Sequence, residues 1–318
     1  MDANDAPFPP KPSFTERELP DQSGKVYVAI VTGAATGMGL ELAKILYSRN
    51  CTVYIATRSE AKISAAIASI QAAHPNSRGR LEPLIVDFSN LTTIKPAAAS
   101  FLARESPLES AGSKGAQGHD LEMVTNVLGP YLLTRCLEER LVSTAREVGL
   151  AGKAATGVRI VWVTSFIGFG GAPGGVVWDD TTSSPTQLKA MENYMQSKTG
   201  DVFLAHEFAQ RMGGEGVISV VRAPIQSVNP GLTKTELQRY MPAPCALPCH
   251  KYGAYSELFG ALSPDVTKEK NGAYIMPWGR FGHVPADLAV AMAPASDGGN
   301  GLSRKFLHLC ERETSAYA

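Results

Sequence analysis

The feature that most constrains the fold is an apolar stretch that ends in a glycine-rich turn and leads into a helix-like segment. The stretch KVYVAIVTG occupies 25–33, and the amphipathic run MGLELAKILYSRN follows at 38–50. A second apolar strand at 51–58, a helical pattern at 59–74 and a third apolar strand at 81–88 come next. Strands that alternate with helices predict a parallel sheet with helices on its faces, which is a doubly wound α/β fold.

The alternation continues through the middle of the chain. Helical periodicity covers 120–150 and 192–211, and apolar strands are predicted at 158–165 and 218–221. An Asn-Pro-Gly turn follows at 229–231. The sequence therefore predicts several βα repeats in one sheet.

Two regions differ from this repeat. Residues 1–24 are rich in proline and polar side chains, so we predict an N-terminal tail before a single domain at 25–318. Residues 232–280 mix Pro, Gly, Tyr and Met. That mixture predicts an irregular lobe over the substrate rather than another βα repeat.

Charge and cysteine usage limit the classes of partner. Thirty basic and thirty acidic side chains cancel, so no electrostatic footprint for nucleic acid or an anionic membrane is expected. No run of about 18 apolar residues predicts a membrane span. Five scattered cysteines favour a reducing compartment, and we expect a cytoplasmic protein with a small-molecule substrate. Cys245, Cys249 and His250 suggest a metal site, but zinc needs a fourth ligand and we predict no metal.

The glycine-rich turn TGAATGMG carries Gly33, Gly37 and Gly39 between the first strand and the first helix. Glycines at this place let backbone N–H groups approach a pyrophosphate, whose charge the helix N-terminus favours. A purely structural turn is the alternative. The position in the first βα unit favours nucleotide binding.

Arg58 follows the second strand, where an NAD-binding protein commonly places a carboxylate for the ribose 2′-hydroxyl. A guanidinium is instead well shaped for a 2′-phosphate, although a solvated surface arginine is the alternative. The cofactor is therefore predicted to be NADP(H) rather than NAD(H).

Tyr194 and Lys198 form a Y-x-x-x-K pattern on a predicted helix, so their side chains share one face. An ammonium nearby favours the phenolate and suits the tyrosine to acid/base catalysis. The pattern occurs by chance in many sequences. Its place after a strand that ends at Ser165, in a chain with a glycine-rich first turn, gives it weight.

Together these residues resemble the short-chain dehydrogenase/reductase family, from about Lys25 to Gly231. The resemblance implies a Rossmann-type sheet and a catalytic set in which Tyr194 is the general acid/base. Lys198 would bind the nicotinamide ribose, and Ser165 would hydrogen-bond the substrate carbonyl. Asn126 would position a proton-relay water.

The resemblance also implies a cofactor site and a substrate class. Asp87 would approach the adenine, and Thr233 would meet the carboxamide or phosphates. FPPKPSFTE, GAQGHDLEMVTNVLGPYLLT and PWGR are similar to retinol-dehydrogenase-like reductases of filamentous fungi, many of which act on secondary metabolites. Whether the chain forms a homo-oligomer is left open. The implied cofactor-binding residues are Gly33, Gly37, Met38, Gly39, Arg58, Asp87, Asn126, Tyr194, Lys198, Asn229, Gly231 and Thr233.

The sequence departs from the family pattern in one central place. The family has an Asn-Asn-Ala-Gly strand end before the helix asparagine, and here ESPLESAGSKGAQGHD occupies 105–120. This polar segment cannot form a buried central strand. Arg222 and Pro224 are likewise poor residues for a central strand, and PAPCALPCHKYGAY at 242–255 makes a short substrate lobe. Misplaced intron boundaries would explain these departures, and a paralogue that is losing catalysis would explain them equally.

Two functions are consistent with these observations. The first is a working NADPH-dependent reductase, because Asn126, Ser165, Tyr194 and Lys198 are all present. The second is a nucleotide-binding relative that no longer transfers hydride, which the missing strand favours.

Overall fold

The computed structural model describes residues 11–24, 26–29, 35–105, 120–150, 157–222 and 250–318. Its α-helices are α1 (Gly37–Ser48), α2 (Glu60–Ala73), α3 (Ile94–Glu105), α4 (Leu121–Met123), α5 (Gly129–Leu150), α6 (Ala190–Met212), α7 (His250–Leu262), α8 (Ala286–Met292) and α9 (Leu302–Thr314). Its strands are β1 (Val26–Ala29), β2 (Thr52–Thr57), β3 (Arg80–Ile85), β4 (Arg159–Val163), β5 (Trp178–Asp179), β6 (Ser184–Pro185), β7 (Ile218–Arg222), β8 (Tyr274–Met276) and β9 (Arg280–Gly282). The predicted mixed α/β class with parallel strands is confirmed.

The chain divides into two compact units. The first contains β1, β2, β3, α1, α2 and α7, and its three strands form a parallel sheet in the order β1-β2-β3. The middle strand, β2, is buried from Val53 to Ala56, as expected for an apolar run with helices over the sheet. Ser59 caps α2 by accepting a hydrogen bond from the Lys62 N–H at 3.4 Å.

Part of the predicted N-terminal tail packs within this first unit. Phe14 and Leu19 are buried, and the Phe14 and Phe259 rings lie edge to face with centroids 6.4 Å apart. The Lys251 ammonium lies 2.6 Å from the Glu16 carboxylate. Residues 11–24 therefore contact α7, which the proline-rich composition did not indicate.

The second unit contains a sheet in the order β4-β7-β8-β9, in which β4, β7 and β8 run parallel. Helix α6 packs on this sheet and α9 packs on α6, where the Phe203 and Phe306 rings lie 5.8 Å apart. Trp162 of β4 donates from Nε1 to the Ser219 hydroxyl on β7 at 3.1 Å. Both faces of α6 are therefore covered for much of its length.

The predicted helix at 120–150 is not a uniform α-helix. Asp120 caps α4 by accepting from the Glu122 and Met123 N–H groups, and a π-helical turn then covers Val124–Leu128 before α5 begins. A π-turn is rare and occurs often at functional sites. It contains Asn126.

Among the described strands, β1 pairs with β2 alone and β4 pairs with β7 alone. The strand expected between them would have come from the segment at 105–120, of which 106–119 lie outside the described residues. A missing strand thus stays a prediction. The described strands nevertheless form separate sheets.

The prediction that 232–280 is irregular is wrong for the second half of this range. Residues 232–249 lie outside the described part, but α7 is regular and β8 pairs parallel with β7 through Val221 and Tyr274. Ala254 and Leu258, spaced by one helical turn, are fully buried. The surrounding glycine and tyrosine residues obscure that spacing in the sequence.

The limits of a domain at 25–318 and of a substrate lobe stay predictions.

Candidate active site

The first part of the predicted cofactor site is the beginning of α1, in the first unit. Gly37, Met38 and Gly39 are its first three residues, and Gly37 has a φ of +58°, a conformation that glycine adopts at little cost. Thr36 precedes the helix without a side-chain cap, and the first turn holds no acidic residue. A helix N-terminus whose first turn holds no carboxylate suits an anion such as a diphosphate. Gly33 lies outside the described residues.

Arg58 lies directly after β2, also in the first unit. Its side chain is exposed and makes no hydrogen bond or ion pair within the described part of the chain. The guanidinium is therefore free to bind a phosphate.

Asp87 belongs to the second unit and follows β3 by two residues. Its Oδ1 accepts from the Ser89 N–H at 3.0 Å and from the Ser89 hydroxyl at 2.6 Å. Its own N–H and carbonyl both bond the Thr93 hydroxyl. The carboxylate thus stabilises a turn and keeps its second oxygen available.

Ser165 follows β4 and begins a short 3₁₀-helix at Phe166–Gly170. It is buried, and its Oγ accepts weakly from the Ile167 N–H at 3.4 Å, which leaves its O–H as a donor. The turn lies tightly on α6, because a Cβ on Gly168 would come within 3.1 Å of the Lys198 Cβ. The Thr199 hydroxyl also donates to the Gly168 carbonyl at 2.9 Å. These contacts fix the serine relative to Lys198.

Tyr194 and Lys198 lie one turn apart on α6, as predicted. The Tyr194 side chain is half-buried, and its hydroxyl has no hydrogen-bond partner among the described residues. The Lys198 ammonium donates to the Val163 carbonyl at 2.9 Å and to Asp201 Oδ2 at 3.0 Å. One of its three N–H groups therefore remains for a further acceptor.

Asp201 is a neighbour that we did not predict from the sequence. Its carboxylate is buried, and Lys198 is its ion-pair partner. Burial raises the pKa of Asp201 to about 6, although the adjacent Lys198 ammonium lowers it. The visible signal was a carboxylate three residues after Lys198 within an apolar helical run, which predicts an i,i+3 pair but not its burial.

Asn126 joins the π-turn to the same helix. Its Nδ2 donates to the Ser197 hydroxyl at 3.0 Å, and Ser197 donates in turn to the Tyr194 carbonyl at 2.8 Å. A longer contact of 3.4 Å leads to Glu122. The extra residue in the π-turn and this bond together orient the asparagine.

The second unit thus brings Asn126, Ser165, Tyr194 and Lys198 onto or against α6.

Asn229, Gly231 and Thr233 lie outside the described residues, as do Cys245 and Cys249. In the parts of the chain that the structure covers, no group of three His, Cys, Asp or Glu side chains could hold a metal ion. No helix there is long and apolar enough to cross a membrane.

The chain is similar to known proteins over most of its length. The family model described as short chain dehydrogenase matches residues 27–111. A short-chain dehydrogenase/reductase of Neocamarosporium betae is 40% identical over 98% of this chain and 92% of its own. One from Phomopsis amygdali is 38% identical over 98% and 95%. The NADPH-bound carbonyl reductase from chicken fatty liver is similar in structure, with a TM-score of 0.55, 18% identity, and coverage of 82% of this chain and 98% of its own.

Proposed function

Because the chain belongs to the short-chain dehydrogenase/reductase family, we propose that it is an NADPH-dependent reductase of a ketone. The observation that supports this most is the arrangement on α6. Tyr194, whose hydroxyl has no partner among the described residues, lies one helical turn from Lys198, whose ammonium is anchored. The turn that begins at Ser165 packs against that lysine through Gly168. A proton donor, a cation and a second hydrogen-bond donor are what reduction of a carbonyl requires.

In this mechanism each residue of the chain has a separate role. Ser165 donates its O–H to the carbonyl oxygen of the substrate and holds it for protonation. Tyr194 then gives its proton to that oxygen, and Lys198 stabilises the resulting phenolate. Asn126 fixes the turn that faces α6 through Ser197. When bound, NADPH supplies the hydride that reaches the carbonyl carbon.

The cofactor preference rests on the residues of the first unit. The start of α1 would hold the diphosphate. Arg58, which has no hydrogen-bond or ion-pair partner within the described residues, would hold the 2′-phosphate. Asp87, Asn229, Gly231 and Thr233 complete the proposed cofactor site by family resemblance alone.

An apolar substrate, such as a hydrophobic secondary metabolite, is part of the proposal. Leu121 and Met191 are large apolar side chains that are 64% and 60% exposed. Leu121 begins α4, five residues before Asn126, and Met191 lies three residues before Tyr194. Exposed apolar side chains that lie close in sequence to the proposed catalytic residues favour an apolar ligand.

A cytoplasmic location is also proposed. Cys51, Cys136 and Cys310 are free thiols, which fits a reducing compartment.

The alternative is a relative that binds nucleotide without reducing a carbonyl, and the separate sheets that contain β1 and β4 favour it. The two functions differ in one experiment. Purified protein is mixed with NADPH and a panel of aliphatic, aromatic and polycyclic ketones, and NADPH consumption is followed by absorbance. Cofactor binding is measured separately by fluorescence. If the protein binds NADPH but consumes it with none of the ketones, the alternative is supported.

Tyr194→Phe provides the mechanistic test. We expect kcat to fall by about 10²–10⁴, the usual contribution of a general acid, with little change in the dissociation constant of NADPH. Tyr317→Phe, at the C-terminus and half-buried, is the matched control and should keep wild-type turnover. Wild-type turnover by Tyr194→Phe would exclude this tyrosine as the proton donor.

A further inference from the structure

We propose that Asp201 is a positioning residue that tunes the charge presented by Lys198 to the Tyr194 hydroxyl. It thereby sets the pH above which reduction loses its proton donor. The inference rests on the proposed function for its effect on turnover. Its physical basis is the buried ion pair between Asp201 and Lys198 on α6. Asp201 itself is neither part of the cofactor-binding turn nor the proton donor.

The geometry leaves Lys198 little freedom. Its Nζ is held by two acceptors, the Val163 carbonyl at 2.9 Å and Asp201 Oδ2 at 3.0 Å, and its side chain is only 13% exposed. The Asp201 side chain is 4% exposed, so water screens this pair poorly. The aspartate therefore both orients the ammonium and cancels part of its field.

The partial cancellation of the ammonium's field by Asp201 shifts the ionisation of the proton donor in a definite direction. Tyr194, Lys198 and Asp201 lie on one stripe of α6, because spacings of four and three residues return to the same helix face. The ammonium favours the phenolate of Tyr194, and the carboxylate opposes it. Removing the carboxylate charge leaves the ammonium uncompensated, so the tyrosine ionises at lower pH and the reductase loses its acid earlier as the pH rises.

The size of this effect follows from the helix. Seven residues at about 1.5 Å each separate Tyr194 from Asp201 by roughly 10 Å along the axis. One charge at that distance, with an effective dielectric constant of about 20, shifts a titration by about one pH unit.

The surroundings of Asp201 contain few other titratable groups. From α9 the carboxylate faces Cys310, whose thiol is buried, and burial raises its pKa so that it stays neutral. The 3₁₀-helix at Phe166–Gly170 and the π-turn carry no titratable side chain. The side chain of Arg222, the register partner of Val163, lies outside the described residues. The other titratable side chains on α4 and β4, which also pack against α6, are Glu122 and Arg159.

The test compares Asp201→Asn with the wild type, because asparagine keeps the shape and an acceptor while it removes the charge. The kcat/KM for ketone reduction is measured against pH. We expect its alkaline limb to move about one pH unit to lower pH. Asp201→Ser, a smaller uncharged side chain, should move it in the same direction.

Glu207→Gln is the matched control. Glu207 is a buried carboxylate on the same helix, paired with Arg304 at 3.2 Å, but it lies roughly 20 Å from Tyr194 along the axis. At twice the distance the same Coulomb estimate gives at most about half the shift, and the paired Arg304 and screening by salt reduce it further. The shift should therefore be clearly smaller than in Asp201→Asn.

A second readout needs no turnover. The ultraviolet absorbance of tyrosinate is titrated in the cofactor-free protein, and the contribution of Tyr194 is taken as the difference from Tyr194→Phe. In Asp201→Asn this difference should appear at lower pH. Titrations of wild type and Asp201→Asn that superimpose, or a shift to higher pH, would overturn the inference even in an active reductase. Inactivity of the wild type on all ketones would instead overturn the proposed function and leave this titration decisive.

Discussion

The buried carboxylate of Asp201 makes the stability of the protein depend on pH in an unusual direction. Desolvation raises the pKa of Asp201 from its ordinary 3.8 to about 6 in the folded protein, against the opposing effect of Lys198. An acid with a raised folded-state pKa stabilises the fold fully below its unfolded pKa, and this contribution is lost as the pH rises through the folded pKa. The window for the loss therefore runs from 3.8 to about 6.

The magnitude follows from this shift. A difference of about two pKa units corresponds to about 3 kcal/mol, of which about 2–3 kcal/mol is lost between roughly pH 4 and pH 7. Asp201→Asn has no proton to lose at this position. Its free energy of unfolding minus that of the wild type should therefore increase by about 2–3 kcal/mol over the same interval.

Urea unfolding of both proteins at several pH values measures this difference, and other titrating groups cancel because they are common to both. The sign of the change in this difference with pH shows whether burial or ion pairing has the larger influence on the pKa of Asp201. A difference that stays constant with pH, or that decreases as the pH rises, would refute the reasoning, because Lys198 would then balance or outweigh the desolvation of the carboxylate.

Two further predictions concern the cofactor and the sheet. Arg58→Ala should reduce the preference for NADPH over NADH by roughly ten- to a hundredfold, the usual value of one charge-assisted contact, whereas Arg78→Ala should not change it. Equal wild-type dissociation constants for both cofactors would contradict this. A version with an Asn-Asn-Ala-Gly strand inserted in the segment at 105–120 should melt higher and gain more from NADPH than the chain as it stands. Equal melting temperatures with and without NADPH would show that the strand is dispensable.

Strand β2 and helix α6 could be predicted because their signals are local. β2 is an apolar run that is buried from Val53 to Ala56, and α6 is a long segment without proline. The π-turn could not be predicted, because one extra residue in a turn hardly changes the amphipathic pattern of 120–150. What reveals it is the backbone bonding around Asn126.

The proposed catalytic residues follow from the sequence, but the charges around them do not. Asn126, Ser165, Tyr194 and Lys198 were predicted from motif order and family resemblance, and the structure places them on α6 or on segments that pack against it. The partner of Lys198 was missed because the sequence shows an i,i+3 aspartate without showing that α9 and the sheet bury it. Burial is a property of tertiary packing, and it decides whether such a pair is a weak surface contact or a strong one.

The proposed acid/base groups and the proposed cofactor-binding groups differ in how strongly they depend on the strand that is predicted to be missing. Tyr194, Lys198 and Asp201 are held by one helix of 23 residues, and that helix is supported by β4, β7 and α9. Their mutual geometry therefore needs no strand beside β1. The start of α1 and Arg58 depend instead on a three-stranded sheet in which β1 has one bonded edge among the described strands. An unpaired strand edge costs free energy, since its N–H and C=O groups lose partners. If function has been lost in this chain, weak cofactor binding is therefore the expected cause, with the proton donor still intact.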